Sequence, residues 1–120
     1  MNKGVLVAIS IPIFTAQLEK SREATDAANL RLAYAEVASV ALTASKEETV
    51  GNVDVTAGTN GTWTCTYKDG VTAKQQQDGW QGVDYGTAPN EIGGQQVVAS
   101  TTGWTIISTN GGDPVIAVKS

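Results

Sequence analysis

The 120 residues are enough for one domain with a modest core and too few for two. Eight Lys and Arg against twelve Asp and Glu give a net charge of −4, so no broad basic surface is available and no nucleic-acid partner is predicted. The absence of His and the presence of one Cys exclude an internal disulfide and remove the commonest general base and neutral metal ligand.

The chain begins with an uncharged apolar segment, residues 5–14, behind Lys3. As a helix it would cover about 15 Å, roughly half the hydrocarbon core of a bilayer, so it cannot span a membrane alone. A signal peptide fits poorly, because no small-residue cleavage site follows and the helical pattern continues. The segment is therefore predicted to start a helix. Its hydrophobic assembly positions are Val5, Leu6, Val7, Ile9, Ile11, Pro12, Ile13 and Phe14.

Residues 15–50 are predicted to continue this helix, because good helix formers dominate and Gly is absent from residues 5–50. Gly51 is the expected stop, and Ser45 with Glu48 forms a weak capping box that allows a short extra turn.

Two apolar stripes follow from the helical period. The first stripe recurs at spacings of three, four or seven residues and contains Phe14, Leu18, Thr25, Ala28, Leu32, Ala35, Ser39 and Leu42. The second stripe contains Leu30, Tyr34, Val37 and Ala41. Together they indicate that the end of the helix is covered on more than one side.

A run of charges occupies the middle of the helix: Glu19, Lys20, Arg22, Glu23, Asp26 and Arg31. Arg22 with Asp26, and Lys20 with Glu23, are spaced for ion pairs about one turn apart. The simplest interpretation is a solvated face. The alternative is that charges among Glu19, Lys20, Arg22 and Glu23 meet opposite charges on a neighbouring subunit and set the register between helices.

After Gly51 the period becomes alternating, which predicts an antiparallel sheet over residues 51–120. Strands are expected at residues 53–56 and 62–68, and the Asp69-Gly70 turn predicts a tight hairpin returning through residues 71–74. A second hairpin is expected to pair residues 102–109 with 114–118, and residues 97–100 are expected to add a short strand.

Residues 75–96 are predicted to be a long surface connection, because they combine a Gln run, five Gly and little periodicity. Trp80 and Tyr85 are expected to pin it to the sheet and are the two candidates for contact with a partner. Trp63 and Trp104 are expected to bury against Leu30, Tyr34 and Val37. Cys65, between threonines, is predicted to be a buried structural thiol.

No catalytic, cofactor-binding or metal-binding residue is predicted. A Ser-His-Asp set is excluded without His, and neither a phosphate-binding Gly-rich loop nor zinc-ligand spacing occurs. The loop carboxylates Asp78, Asp84, Glu91 and Asp113 could line a calcium site, but without a dense Asp-x-Asp pattern solvated loop residues are favoured. We therefore predict a protein that is not an enzyme and has no small-molecule substrate.

A long helix that is apolar at its start and buried at its end, followed by a Gly- and Thr-rich sheet, resembles the type IV pilin and pseudopilin family over nearly the whole chain. The most specific part is residues 5–14 running into 17–24, which is similar to the later part of the family's hydrophobic helix and the charged stretch after it. The resemblance implies an α+β fold with a long N-terminal α-helix packed against a small antiparallel β-sheet. Pro12 has a family counterpart and should kink or loosen the helix.

The chain also departs from the family pattern. Lys3-Gly4 resembles the end of the family's leader, but the Phe-led start and its Glu are missing before Val5. We therefore expect an N-terminally truncated chain in which residues 1–4 are either native or an added remnant, and the family's assembly-directing carboxylate is unassigned. The lone Cys65 favours Gram-positive pilins and pseudopilins over the disulfide-bearing classes.

The function that the resemblance implies is structural: a filament subunit that assembles through its N-terminal helix for adhesion, motility or related surface functions. Its partners would be other pilins, and the membrane before assembly, with the finished filament at the cell surface. One alternative is a pseudopilin of a type II secretion or DNA-uptake apparatus. Another, from a different class, is a secreted binding module that uses the aromatic loop.

Overall fold

The computed structural model describes residues 3–81 and 91–119, with the side chains of the helix from residue 15 onward. A long helix packs against a mostly antiparallel sheet, so the α+β fold class is confirmed. In chain order the elements are α1 (Lys3–Thr43), β1 (Glu48–Val50), β2 (Val53–Ala57), β3 (Trp63–Tyr67), β4 (Val71–Thr72), β5 (Glu91–Ile92), β6 (Gln95–Gln96), β7 (Gly103–Ser108) and β8 (Val115–Val118).

The core lies between one face of α1 and the inner face of the sheet. Leu30 and Val37 of the second stripe are fully buried, and Tyr34 and Ala41 are partly buried against the same core. The sheet contributes Val53, Val55, Cys65, Trp104 and Ile106. This packing confirms that Trp104 is a core residue and Cys65 a buried thiol, while Trp63 packs half-buried at the margin.

The helix ends at Thr43, before the predicted stop at Gly51, and the predicted capping box at Ser45 and Glu48 does not form a helical turn. Glu48–Val50 is instead strand β1, which pairs with β2 through Glu48↔Val55 and Val50↔Val53. Gly51, with φ 60°, forms the turn between these strands rather than stopping the helix. The β-branched side chains Thr49 and Val50 favour the extended conformation, and β2 supplies the hydrogen-bond partners.

The central strand of the sheet is β7, which pairs with β8 on one edge and with β3 and β4 in succession on the other. The β7–β8 hairpin was predicted and is confirmed. The predicted return of β4 along β3 is wrong, because Val71 pairs with Trp104 of β7. Asp69 and Gly70 do form a turn with positive φ, 63° and 66°. The turn directs the chain along the part of β7 that β3 leaves unpaired.

Residues 97–100 do not form the predicted strand, because their backbone groups bond to side chains. Trp104 Nε1 donates to the Val98 carbonyl at 2.8 Å, and Ser100 N–H donates to Gln75 Oε1 at 3.0 Å. The predicted surface connection, residues 75–96, ends in the small hairpin β5–β6, where Ile92 pairs with Gln95.

Candidate functional site

The sheet together with residues 74–81 covers α1 from Glu19 onward. Residues 15–18 are exposed, whereas the buried helix positions from there on are Glu19, Glu23, Asp26, Ala27, Leu30, Ala33, Val37 and Val40. The helix therefore projects beyond the sheet at its N-terminal end. That end contains the predicted assembly segment 5–14, whose side chains lie outside the described residues.

Where the helix leaves the sheet, three carboxylates are buried: Glu19 is 1% exposed, and Glu23 and Asp26 are 0% exposed. We call these three residues the carboxylate clasp. The solvated face predicted for this part of the charge run is therefore wrong at these three positions. They face the same side as Leu30 and continue the second stripe toward the N-terminus at spacings of four, three and four residues.

The clasp holds residues 74–81, which we call the strap, entirely through backbone donors. Asp26 Oδ1 accepts the N–H of Lys74 at 2.8 Å, and Asp26 Oδ2 accepts that of Gln75 at 3.0 Å. Glu19 accepts the N–H groups of the next two residues, Gln76 and Gln77, at 3.0 Å.

Glu23 Oε2 completes the clasp by accepting the N–H of Gln81 at 2.9 Å. The strap belongs to no strand, so its N–H groups have no ladder partners and would lose hydrogen bonds on burial. Ionised carboxylates are strong acceptors that can each take several N–H groups. This explains why charged residues occupy a buried helix face.

Arg22 forms an ion pair that was not among the predicted ones. Arg22 Nη1 lies 3.4 Å from Glu19 Oε1, one turn back along the helix, whereas Asp26 is engaged by the strap. The predicted contacts of Glu19, Lys20, Arg22 and Glu23 with a neighbouring subunit stay a prediction. Since Glu19 and Glu23 are buried against their own chain, Lys20 and Arg22 are the accessible members of that set.

The first stripe is on the opposite side of the helix from the core. Leu32 is 69% exposed and Leu42 88% exposed, and Leu18, Thr25, Ala28, Ala35 and Ser39 are exposed as well. The prediction that both stripes are covered is therefore wrong for the first one within a single chain. The sheet is narrow and covers only the face that carries Leu30 and Val37, so the first stripe from Leu18 to Leu42 remains in solvent.

The prediction that Trp80 anchors the connection to the sheet is confirmed. Its ring stacks on that of Trp104 with centroids 6.2 Å apart and an interplanar angle of 1°, and its Nε1 donates to the Val97 carbonyl at 3.1 Å. The indole is thus engaged inside the chain, and contact with a partner stays a prediction. Tyr85, the other candidate, lies outside the described residues.

The remaining candidate residues do not come together in one site. Among the described residues, no three His, Cys, Asp or Glu side chains form a group that could hold a metal ion, and the predicted calcium candidate Asp84 lies outside that part of the chain. Burial raises the pKa of the Cys65 thiol.

Among the described residues, no helix carries an apolar stretch long enough to cross a bilayer.

Comparisons with family models, with curated proteins and with solved structures found no match to this chain. The sequence did not predict the carboxylate clasp, because charges on a helix are usually solvated. The available signal was positional: Glu19, Glu23 and Asp26 lie in line with the second stripe.

Proposed function

We propose that the protein is a structural subunit of a type IV pilin-like filament, and that it assembles through α1. The observation that carries this proposal is the exposed first stripe. Its members lie at spacings of seven, three, four, three, four and three residues from Leu18 to Leu42, the heptad spacing at which helices pack side by side. A long apolar stripe left in solvent is typical of an interaction surface.

The length of the helix supports the same proposal. Its 41 residues extend about 60 Å, and Glu19, the first buried position among the described side chains, lies 16 residues after Lys3. In the proposed filament this projecting part, with the apolar residues 5–14, packs among the helices of other copies and anchors the subunit in the membrane before assembly. The sheet and the strap then form the outside of a cell-surface filament, without catalytic activity.

The test introduces two negative charges into the first stripe. Leu32→Glu with Leu42→Glu places carboxylates on an apolar contact while leaving the core of the subunit unchanged, because both side chains are exposed. We expect filament formation, followed by electron microscopy and sedimentation, to be lost while the circular dichroism spectrum is retained. Val98→Glu, at a 66% exposed position outside the helix, is the matched control and should still assemble.

Filaments of normal length and number from the Leu32→Glu, Leu42→Glu variant would contradict assembly through the first stripe. The length of the wild-type assemblies separates the two members of the proposed class, since a pseudopilin forms short assemblies and a pilin long fibres.

A further inference from the structure

The outer edge of the sheet at β8 has backbone groups that point away from β7. Lys119 N–H donates to the Gly103 carbonyl, and the register of the hairpin pairs Ile107 with Val115. Hydrogen-bonded positions alternate along an antiparallel pair, so residues 115, 117 and 119 face β7. The backbone groups of Pro114, Ile116 and Val118 therefore face the free edge.

One side chain occupies part of this edge as a neighbouring strand would. Gln95 Oε1 accepts the N–H of Ile116 at 2.7 Å, and Gln95 Nε2 donates to the Pro114 carbonyl at 2.8 Å. These are the two hydrogen bonds that an antiparallel strand offers to residues two apart on its partner. Both polar atoms of the Gln95 amide are engaged in these two hydrogen bonds. The outward backbone groups of Val118 therefore receive no hydrogen bond from Gln95.

We infer that the β8 edge is a strand-pairing site for a second copy of this chain, which the Gln95 amide closes in the single subunit. With a two-fold axis at Ile116, each Ile116 N–H meets the Ile116 carbonyl of the other copy, and each Val118 N–H meets the other Pro114 carbonyl. The Gln95 amide oxygen and nitrogen stand where those incoming groups would lie. The edge is therefore complementary to itself.

Charge complementarity supports this partner. The same two-fold register places Lys119 opposite Asp113 of the other copy, once at each end of the paired strands. Between these two residues the edge is uncharged, and Val115 and Val118 are 58% and 46% exposed. Uncharged exposed edges favour pairing with another chain, and proteins commonly block such edges. Gln95 is the blocking group here, and pairing requires that its amide leave the edge.

The test removes the amide from the full chain and follows amide hydrogen exchange at Val118. In Gln95→Ala we expect Val118 exchange to slow with rising protein concentration, with self-association at least about tenfold tighter than in the wild type, because two competing hydrogen bonds are gone. The local amide reports the edge separately from any packing of α1. Gln96→Ala is the matched control, since the Gln96 side chain is bonded to Glu91 instead.

Charge reversal tests the register. In the Gln95→Ala chain, Asp113→Lys should abolish the concentration dependence, and adding Lys119→Asp should restore it. If Gln95→Ala unfolds the sheet, Gln95→Thr gives the same test, because its short side chain suits a strand and lacks the amide that bonds to Ile116 and Pro114. Val118 exchange that stays independent of concentration in the folded variant would overturn the inference.

Discussion

At the scale of single residues, the carboxylate clasp shows how a buried charge can be a structural group. Asp26 is fully buried, and each of its oxygens accepts a backbone N–H of the strap. A neutral side chain of the same shape has one acceptor oxygen, and its amide nitrogen would face a second donor. The charge is therefore required by the number and direction of the donors, which residue type alone does not reveal.

Asp26→Asn should lower the free energy of unfolding by about 2 to 4 kcal/mol, because one strap N–H loses its acceptor inside the protein. Chemical denaturation monitored by tryptophan fluorescence measures this. The control is Glu36→Gln, where the half-buried side chain accepts a single N–H, from Asn52 at 2.8 Å, and the amide oxygen can replace the carboxylate. That variant should change stability by less than about 0.5 kcal/mol. Equal losses in both variants would contradict a special role for the clasp.

Cys65 gives a pH-dependent prediction. Burial raises the pKa of its thiol, so the folded chain keeps the proton at pH values where the unfolded chain has lost it. The resulting contribution to stability is complete below about pH 8.5, the ordinary range of a thiol, and is lost as the pH rises toward the raised pKa. Between neutral pH and about pH 9.5, the free energy of unfolding should fall by about 1 kcal/mol more in the wild type than in Cys65→Ala. Parallel pH profiles would contradict this.

At the scale of elements, the turn at residues 68–70 decides which strand β4 joins. Gly70 has φ 66°, and a Cβ there would collide with the Trp104 carbonyl oxygen. The close approach of this turn to β7 thus depends on the missing side chain. The turn is what brings Val71 beside Trp104, on the edge of β7 that β3 does not reach.

Gly70→Ala should destabilise the fold by about 3 kcal/mol, from the positive φ and the collision together. Gly61→Ala isolates the first cause, because Gly61 has φ 79° and nothing lies within 4 Å of its added Cβ. That control should cost about 1 kcal/mol. Thermal unfolding of the two variants measures the difference, and the same loss in both would show that the contact with Trp104 contributes nothing.

Local patterns predicted the helix, the β7–β8 hairpin, Cys65 and the anchoring of Trp80. They failed where a partner distant in sequence decides the outcome. The first stripe was expected to be covered, but the sheet covers only the face with Leu30 and Val37. Residues 97–100 have strand composition, but Gln75 and Trp104 take their backbone groups. The strap, whose donors meet Glu19, Glu23 and Asp26, has no periodic signal of its own.

At the scale of the whole molecule, the helix sets the shape, and the principal-axis extents are 72 × 24 × 22 Å. Only the part of α1 from Glu19 to Val40 has buried positions among the described side chains. Ahead of Glu19, the described side chains of residues 15–18 are exposed and add length to the helix without adding to the core of the subunit. Folding of the sheet and projection of the helix are therefore separable properties.

Deletion of residues 1–14 should leave the melting temperature within about 3 °C of that of the full chain, because Glu19 is the first buried position among the side chains that the structure describes. Differential scanning calorimetry in matched detergent measures this, and circular dichroism checks that the sheet signal is kept. A further deletion through Asp26 serves as the contrast, since it removes the clasp and should unfold the strap. A large loss of stability from the shorter deletion would show that the projecting segment supports the core.

The position of the carboxylate clasp has a mechanical consequence. Tension applied to the projecting end of α1 travels along the helix backbone and first reaches tertiary bonds at Glu19, Glu23 and Asp26. These carboxylates join about two turns of helix to one short stretch of chain, so the load is shared among several bonds before any apolar contact is strained. Under tension, the clasp holds the helix to the strap at the point where the helix leaves the sheet. The force at which its hydrogen bonds break limits the tension that the subunit withstands before the hydrophobic core opens.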